Sequence, residues 1–190
     1  MSPGAKLLTS QSNDPSREQD TSESSHPEAD FVEALHPKSV LDAGCGTGRV
    51  AIELARRGIG VVGVDIDPGQ LGKAQAEAPH LAWHLGDLAT LDLRRKFDVI
   101  VMAGNVMIFL APGTEGPVLT NMARHLAPAG RLVTGFHLSM GYLELDDYDR
   151  LAKQAGLGLV RRYSSWQADP WYSMSNYVVS VHESVHELEL

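Results

Sequence analysis

Val40-Leu41-Asp42-Ala43-Gly44-Cys45-Gly46-Thr47-Gly48-Arg49-Val50 decides the fold of this 190-residue chain. An apolar strand pattern ends in an acid, turns through three glycines at alternate positions and opens straight into a helical pattern. Such a turn brings bare backbone to the positive end of a helix, where a small ligand can lie against it.

In the dinucleotide-binding fingerprint the third glycine follows the second by three residues. That position is Arg49 here, while Gly44, Gly46 and Gly48 stand evenly spaced behind Asp42. A pyrophosphate brings negative charge to such a turn, whereas a carboxylate in it wants a partner that donates hydrogen bonds or carries positive charge. The methionine end of S-adenosylmethionine, with its ammonium and nearby sulfonium, is such a partner. At these residues the sequence resembles motif I of the class I S-adenosylmethionine-dependent methyltransferases, small-molecule type, and the resemblance runs from about Glu28 to about Glu183. It implies cofactor contacts at Asp42, Gly44, Cys45, Gly46 and Gly48, and S-adenosylhomocysteine as product.

Composition sets outer bounds. A hydrophobic content of 43% suffices for one sizeable core. The sequence has no apolar run of the roughly 18 residues a membrane span needs, and its first residues lack an apolar signal region. Its single cysteine, Cys45, excludes an internal disulfide, and a cytoplasmic location is expected. The formal charge is −8, of which the first 30 residues contribute −4, six acids against Lys6 and Arg17. The remaining −4 argues against nucleic acid as substrate, and the Arg94-Arg95-Lys96 trio reads as a solvated loop. Residues 1–27 are polar and acidic and are expected to be a disordered tail, with a methyltransferase-like domain over 28–184 and a short tail over 185–190. No N-terminal aromatic lid over the cofactor is evident, and the sequence leaves monomer or homodimer open.

The body alternates strand and helix. Strands are expected over 38–42, 60–65, 81–85, 97–103 and 131–136, with helices over 47–57, 68–78 and 114–126 and a short one ending near Leu35. Pro128-Ala129-Gly130 reads as a turn before the fifth strand. Asp67-Pro68 reads as a helix N-cap followed by proline at the first helical position. Gly58 and Gly156 read as helix stops, and Asp146 or Asp147 as the cap of a helix ending at Ala155. Two further strands, over about 157–166 and 174–183, alternate as an antiparallel edge pair. The elements give a doubly wound α/β sandwich of seven strands. The resemblance implies the order 3-2-1-4-5-7-6 with the last strand antiparallel.

Asp65 ends the second strand, 21 residues after Gly44. An acid about 20 residues beyond the turn meets ribose hydroxyls in doubly wound folds, and Ile66 beside it can lie flat against adenine. Asp87 is expected to accept from the adenine amino group by resemblance, with the following backbone N–H on a ring nitrogen; Gly86 and Leu88 flank it. Ala103 and Gly104 end the fourth strand against the cofactor. Asn105 follows at the crevice beyond the strand ends, where its amide either orients a nucleophile or serves the turn. His137 ends the fifth strand, as a structural imidazole or as a proton acceptor for a small-molecule substrate. Trp166, Trp171 and Tyr172 either line a substrate pocket or pack the sheet edge. Asp98 opens a Phe-Asp pair and reads as structural.

His182-Glu183-Ser184-Val185-His186 matches a zinc-protease pattern, but it lies at the end of a strand pattern. Histidines four apart on a strand stand about 13 Å apart and cannot share one metal, so no metal site is expected. The reaction expected is methyl transfer to an O, N, C or S atom. The alternatives are a nicotinamide-dependent oxidoreductase and a cofactor-binding module without turnover.

Overall fold

The computed structural model describes residues 25–138 and 142–185. Most of the expected acidic tail and His186 lie outside these residues. The elements are α1 (Pro27–Glu33), β1 (Ser39–Ala43), α2 (Arg49–Arg56), β2 (Gly60–Asp65), α3 (Pro68–Glu77), β3 (Ala82–Leu85), β4 (Phe97–Met102), α4 (Val106–Phe109), α5 (Glu115–Arg124), β5 (Leu126–His137), α6 (Leu145–Gln154), β6 (Leu157–Tyr163) and β7 (Tyr177–Ser184). They form one seven-stranded sheet in the order β3-β2-β1-β4-β5-β7-β6. The first five strands pair in parallel, and β7 runs antiparallel between β5 and β6. The expected architecture and strand order are those of the molecule.

Period-two alternation in the central strands supplies both faces of the sheet. Val40, Val99, Val101 and Val133 point to a cluster under α1 and α2. Leu41, Ile100, Met102 and Leu132 point to the opposite cluster with α5 and α6. Local chemistry sets the helix ends. Asp67 accepts from the amides of Gly69 and Gln70 at 2.7 and 3.2 Å, starting α3, and Gly58 and Gly156 turn left-handed after α2 and α6. Asp98 receives the amides of Lys38 and Ser39, both at 2.9 Å, fixing the bottom of β4 to the start of β1. These donors hold its carboxyl below the ordinary value although burial opposes them.

Most boundaries shift by a residue or two, and the larger or more informative differences are these. Pro27, assigned to the tail, already begins α1. β5 starts at Leu126 rather than 131, because Leu126 pairs with Phe97 and the Pro128-Ala129-Gly130 turn becomes an outward irregularity before Arg131 rejoins Val99. Glu144 caps α6 and makes no side-chain cap bond, while Asp146 and Asp147 lie in its first turn, where acid favours the helix dipole. β6 ends at Tyr163 and β7 begins at Tyr177, so all three candidate substrate aromatics fall in the loop between them. The basic trio is occupied locally. Lys96 donates to the carbonyls of Arg124 and Leu126, and the Arg95 guanidinium lies 5.0 Å from the centre of the Phe97 ring.

Gly63 shows how close the packing is. A Cβ there would stand 2.3 Å from the Trp83 ring, whereas one at Gly72 on the exposed face of α3 would meet nothing. Gly63→Ala is therefore expected to lower unfolding free energy by about 1–3 kcal/mol through overpacking. Gly72→Ala is expected to raise it by roughly 0.4–1 kcal/mol through backbone entropy. Urea denaturation of the two variants checks both the signs and the order.

Candidate functional site

The turn after β1 is held by contacts that its own sequence provides. Gly44, Gly46 and Gly48 have φ of 80°, 54° and 81°, a left-handed conformation that disfavours side chains. Both Gly44 and Cys45 give their amides to the Val64 carbonyl, at 2.8 and 2.9 Å. The Gly46 amide donates to Asp65 Oδ2 at 2.7 Å, and the Asp67 amide to Asp65 Oδ1 at 2.9 Å. Beneath the turn, Asp42 is 1% exposed and accepts from the Ala51 amide in the first turn of α2 at 3.0 Å. The positive end of the helix thus already faces a carboxylate of the protein, which leaves it poorly suited to a pyrophosphate.

A cavity of about 260 Å³ opens at the carboxyl ends of the parallel strands. Gly44, Asp65, Ile66, Asp87, Leu88 and Gly104 line it, six of the residues expected from sequence. Ile66 and Phe109, 68% and 74% exposed, are apolar residues of its lining. Asp87 is fixed by accepting the Ala89 amide at 2.8 Å. Val106, Phe109, Leu110, Ala111 and Thr114 complete the wall. No site residue was expected in this segment; the signal was the apolar run Val106–Leu110 shortly after β4. A larger groove, lined by Asp149, Lys153 and His182 among others, holds none of the site residues.

The other residues expected at the site are held as follows. Asp42 does not line the cavity, because its carboxylate is taken up by the Ala51 amide under the turn. Cys45 is buried with Sγ 3.8 Å from the Gly46 carbonyl, and burial pushes its thiol pKa up. Gly46 serves through its amide on Asp65. Gly48 is glycine because a Cβ would lie 2.4 Å from the Trp83 ring, and Gly86 gives its amide to the Asp65 carbonyl. Ala103 is buried behind Gly104. Trp166 is buried, donates to the Tyr177 hydroxyl at 2.9 Å and packs edge-on against Phe31. Trp171 lies against the α5–α6 core with Arg162 over its ring, and Tyr172 is exposed with its amide on Ser175. None of the three aromatics lines the cavity.

Asn105, beyond the end of β4, and His137, the last residue of β5, are adjacent: Asn105 Oδ1 accepts the His137 amide at 2.9 Å. Neither lines the cavity itself. His182 lies on β7 with a ring nitrogen 3.4 Å from the Tyr148 hydroxyl, and burial lowers its pKa to about 4. The zinc pattern therefore stands on a strand as far as it is described.

A methyltransferase-domain family model matches residues 40–130. A TehB-like S-adenosylmethionine-dependent methyltransferase from Corynebacterium glutamicum superposes with a TM-score of 0.80 at 36% identity, over 86% of this chain and 90% of that one. The chain belongs to the class I S-adenosylmethionine-dependent methyltransferases. The magnesium-protoporphyrin O-methyltransferase of Rhodobacter capsulatus is 40% identical over 90 residues, which cover 45% of this chain and 39% of that protein. A dTDP-amino-sugar N,N-dimethyltransferase of Streptomyces venezuelae is 30% identical over 108 residues, 55% of this chain and 46% of that protein. The chain thus matches less than half the length of these two curated relatives. The family's cofactor is S-adenosylmethionine. The residues of the cavity fit that molecule: acceptors at Asp65 and Asp87 suit hydroxyls and an amine, and apolar Ile66 and Phe109 suit a flat base.

Burial raises the Asp42 carboxyl to about 7, with the charges of Asp65 and Glu28 adding to the rise while the Ala51 amide and Arg49 oppose it. Because the folded value lies above the ordinary 3.8, the stabilisation is complete below that value and is lost as pH rises through about 7. Asp42→Asn removes this loss. Its stability relative to the parent should therefore rise by roughly 2–3 kcal/mol between about pH 5 and 8. Urea denaturation of both proteins at the two pH values measures it, and a flat difference would mean that Asp42 is already ionised in the acidic sample.

Proposed function

We propose that this chain transfers the sulfonium methyl of S-adenosylmethionine to an oxygen or nitrogen of a small-molecule acceptor. The observation that carries the reading is the cavity at the strand ends, where Asp65, already oriented by two amides, and Asp87 stand beside glycine backbone and an apolar rim. Bound there, the cofactor supplies an electrophilic methyl group on a positively charged leaving sulfur. Asp65 and Asp87 hold the adenosyl end, Ile66 and Phe109 cover it, and Gly44 allows close approach. Positioning of this kind supplies up to roughly 7–11 kcal/mol.

The acceptor side lies beyond β4 and β5. His137 is exposed there, and its Nδ1 lies 3.3 Å from the Asn176 carbonyl. A carbonyl only accepts, so Nδ1 carries the proton and Nε2 of the neutral ring is a bare lone pair. We assign Nε2 the proton of the acceptor hydroxyl or amine. The relatives' names, an O-methyltransferase and an N,N-dimethyltransferase, support an O or N acceptor without specifying it. Among the described residues no helix is long and apolar enough to cross a membrane. A lone reduced cysteine at Cys45 suits the cytoplasm, where we place the activity.

Calorimetry tests the reading. S-adenosylmethionine and S-adenosylhomocysteine are expected to bind and NADH not to bind. Asp65→Ala is expected to weaken both adenosyl ligands by about 10- to 100-fold, the value of charge-assisted hydrogen bonds. Tight NADH binding, or adenosyl affinity indifferent to Asp65, would overturn it.

A further inference from the structure

We infer that Asn105 is a positioning residue that ties the wall of the cofactor cavity to the imidazole of His137. The inference rests on the methyltransferase reading above, and concerns how this chain's own residues hold the proton acceptor.

An asparagine after a glycine often does no more than serve a turn. Asn105 does that and more. Gly104 and Asn105 both have φ of 69°, a left-handed pair at the top of β4 in which asparagine is tolerated better than other side chains. Its amide donates to the Gly135 carbonyl at 3.2 Å, and its Oδ1 accepts the amide of His137, 32 residues away, at 2.9 Å. One residue therefore fastens the β4–α4 turn to the last residues of β5 through main chain and side chain together.

Both sides of this fastening reach the site. On the cavity side, Val106 follows at the start of α4, packs against the backbone of Gly44 and lines the cavity with Phe109. On the acceptor side, His137 is gripped at three points: its amide by Asn105, its Nδ1 by the Asn176 carbonyl and its ring by the edge of Tyr177, 4.8 Å between centres. The Asn176 carbonyl also receives the Leu138 amide at 2.8 Å, so the backbone on either side of the Cα of His137 is fixed. The Nδ1–H tautomer depends on the ring staying over that carbonyl, and of these three grips the one from Asn105 comes from between Gly104 and Val106, which do line the cavity. Asn105 acts through His137 rather than on the substrate.

The experiment uses the full chain labelled with nitrogen-15. Imidazole nitrogen shifts at a pH where the ring is neutral report the tautomer, and amide exchange reports the grip on the His137 N–H. Asn105→Gly keeps the left-handed backbone and removes Oδ1. Asn105→Asp keeps both that conformation and an acceptor. Asn105→Gly is expected to move the His137 nitrogens towards a mixture of tautomers and to speed exchange of its amide about tenfold or more. Asn105→Asp is expected to retain the parental tautomer and exchange. Either readout unchanged in the glycine variant, or both altered in the aspartate variant as in the glycine one, overturns the inference. S-adenosylmethionine binding is measured on the parent sample. If it fails, the methyltransferase reading falls and takes this inference with it; if it succeeds while the His137 signals ignore Asn105, the inference alone falls.

Discussion

The Asp65 carboxylate is committed to the protein before any ligand arrives. One oxygen holds the Gly46 amide and the other the Asp67 amide, so the end of β2 and the turn after β1 are a single rigid object. The Val64 carbonyl adds two more bonds from Gly44 and Cys45. Left-handed backbone at three alternating positions would otherwise be one conformation among many, and glycine loses more freedom than other residues on being ordered. These bonds offset that loss. They also bear on the ligand's chemistry, since the amides of Gly44, Cys45, Gly46 and Ala51 already face carbonyls and carboxylates of the protein. What remains facing the cavity is acceptor and apolar surface.

Much of this was legible because it is local. The glycine spacing, the acid at the end of β2, the Asp67 cap and the glycine stops each act within a few residues of chain, and period-two patterns mark buried parallel strands. The six cavity residues anticipated from sequence all lie within three residues of a strand end, where the doubly wound fold must open. The strand order itself came from family resemblance, because alternation of elements does not say which strands are neighbours.

What sequence left open has a different physics. Gly48 looks like a ligand glycine until Trp83, 35 residues on, is found against it; Trp166 looks like a substrate aromatic until Phe31 and Gly135 are found on either side. The start of β5 is hidden because a proline, a left-handed alanine and a glycine interrupt it, yet Leu126 still pairs with Phe97. In each case the deciding neighbour is distant in sequence, and residue type alone carries no information about it. Tertiary contact overrides local propensity here, as it does generally in sheets.

The N-terminal helix α1 brings the two halves of the site into one mechanical unit. Glu28 receives both terminal nitrogens of Arg49, one at 2.9 Å, and Arg57 reaches Asp30, Glu33 and Glu53. Burying an aromatic such as Phe31 contributes roughly 1.5–3 kcal/mol. Apolar contact by Ala29, Phe31 and Val32 thus holds α1, and these partly buried ion pairs add to it. Phe31 lies 5.4 Å from the Tyr163 ring and 5.6 Å from that of Trp166. Trp166 in turn donates to the Tyr177 hydroxyl, and the Tyr177 ring meets His137. A continuous packed path thus leads from Arg49, next to the glycine turn, through α1 to the imidazole at the end of β5. Asn105 closes the same loop from the other side of the sheet ends, so displacement of either half would strain contacts to the other.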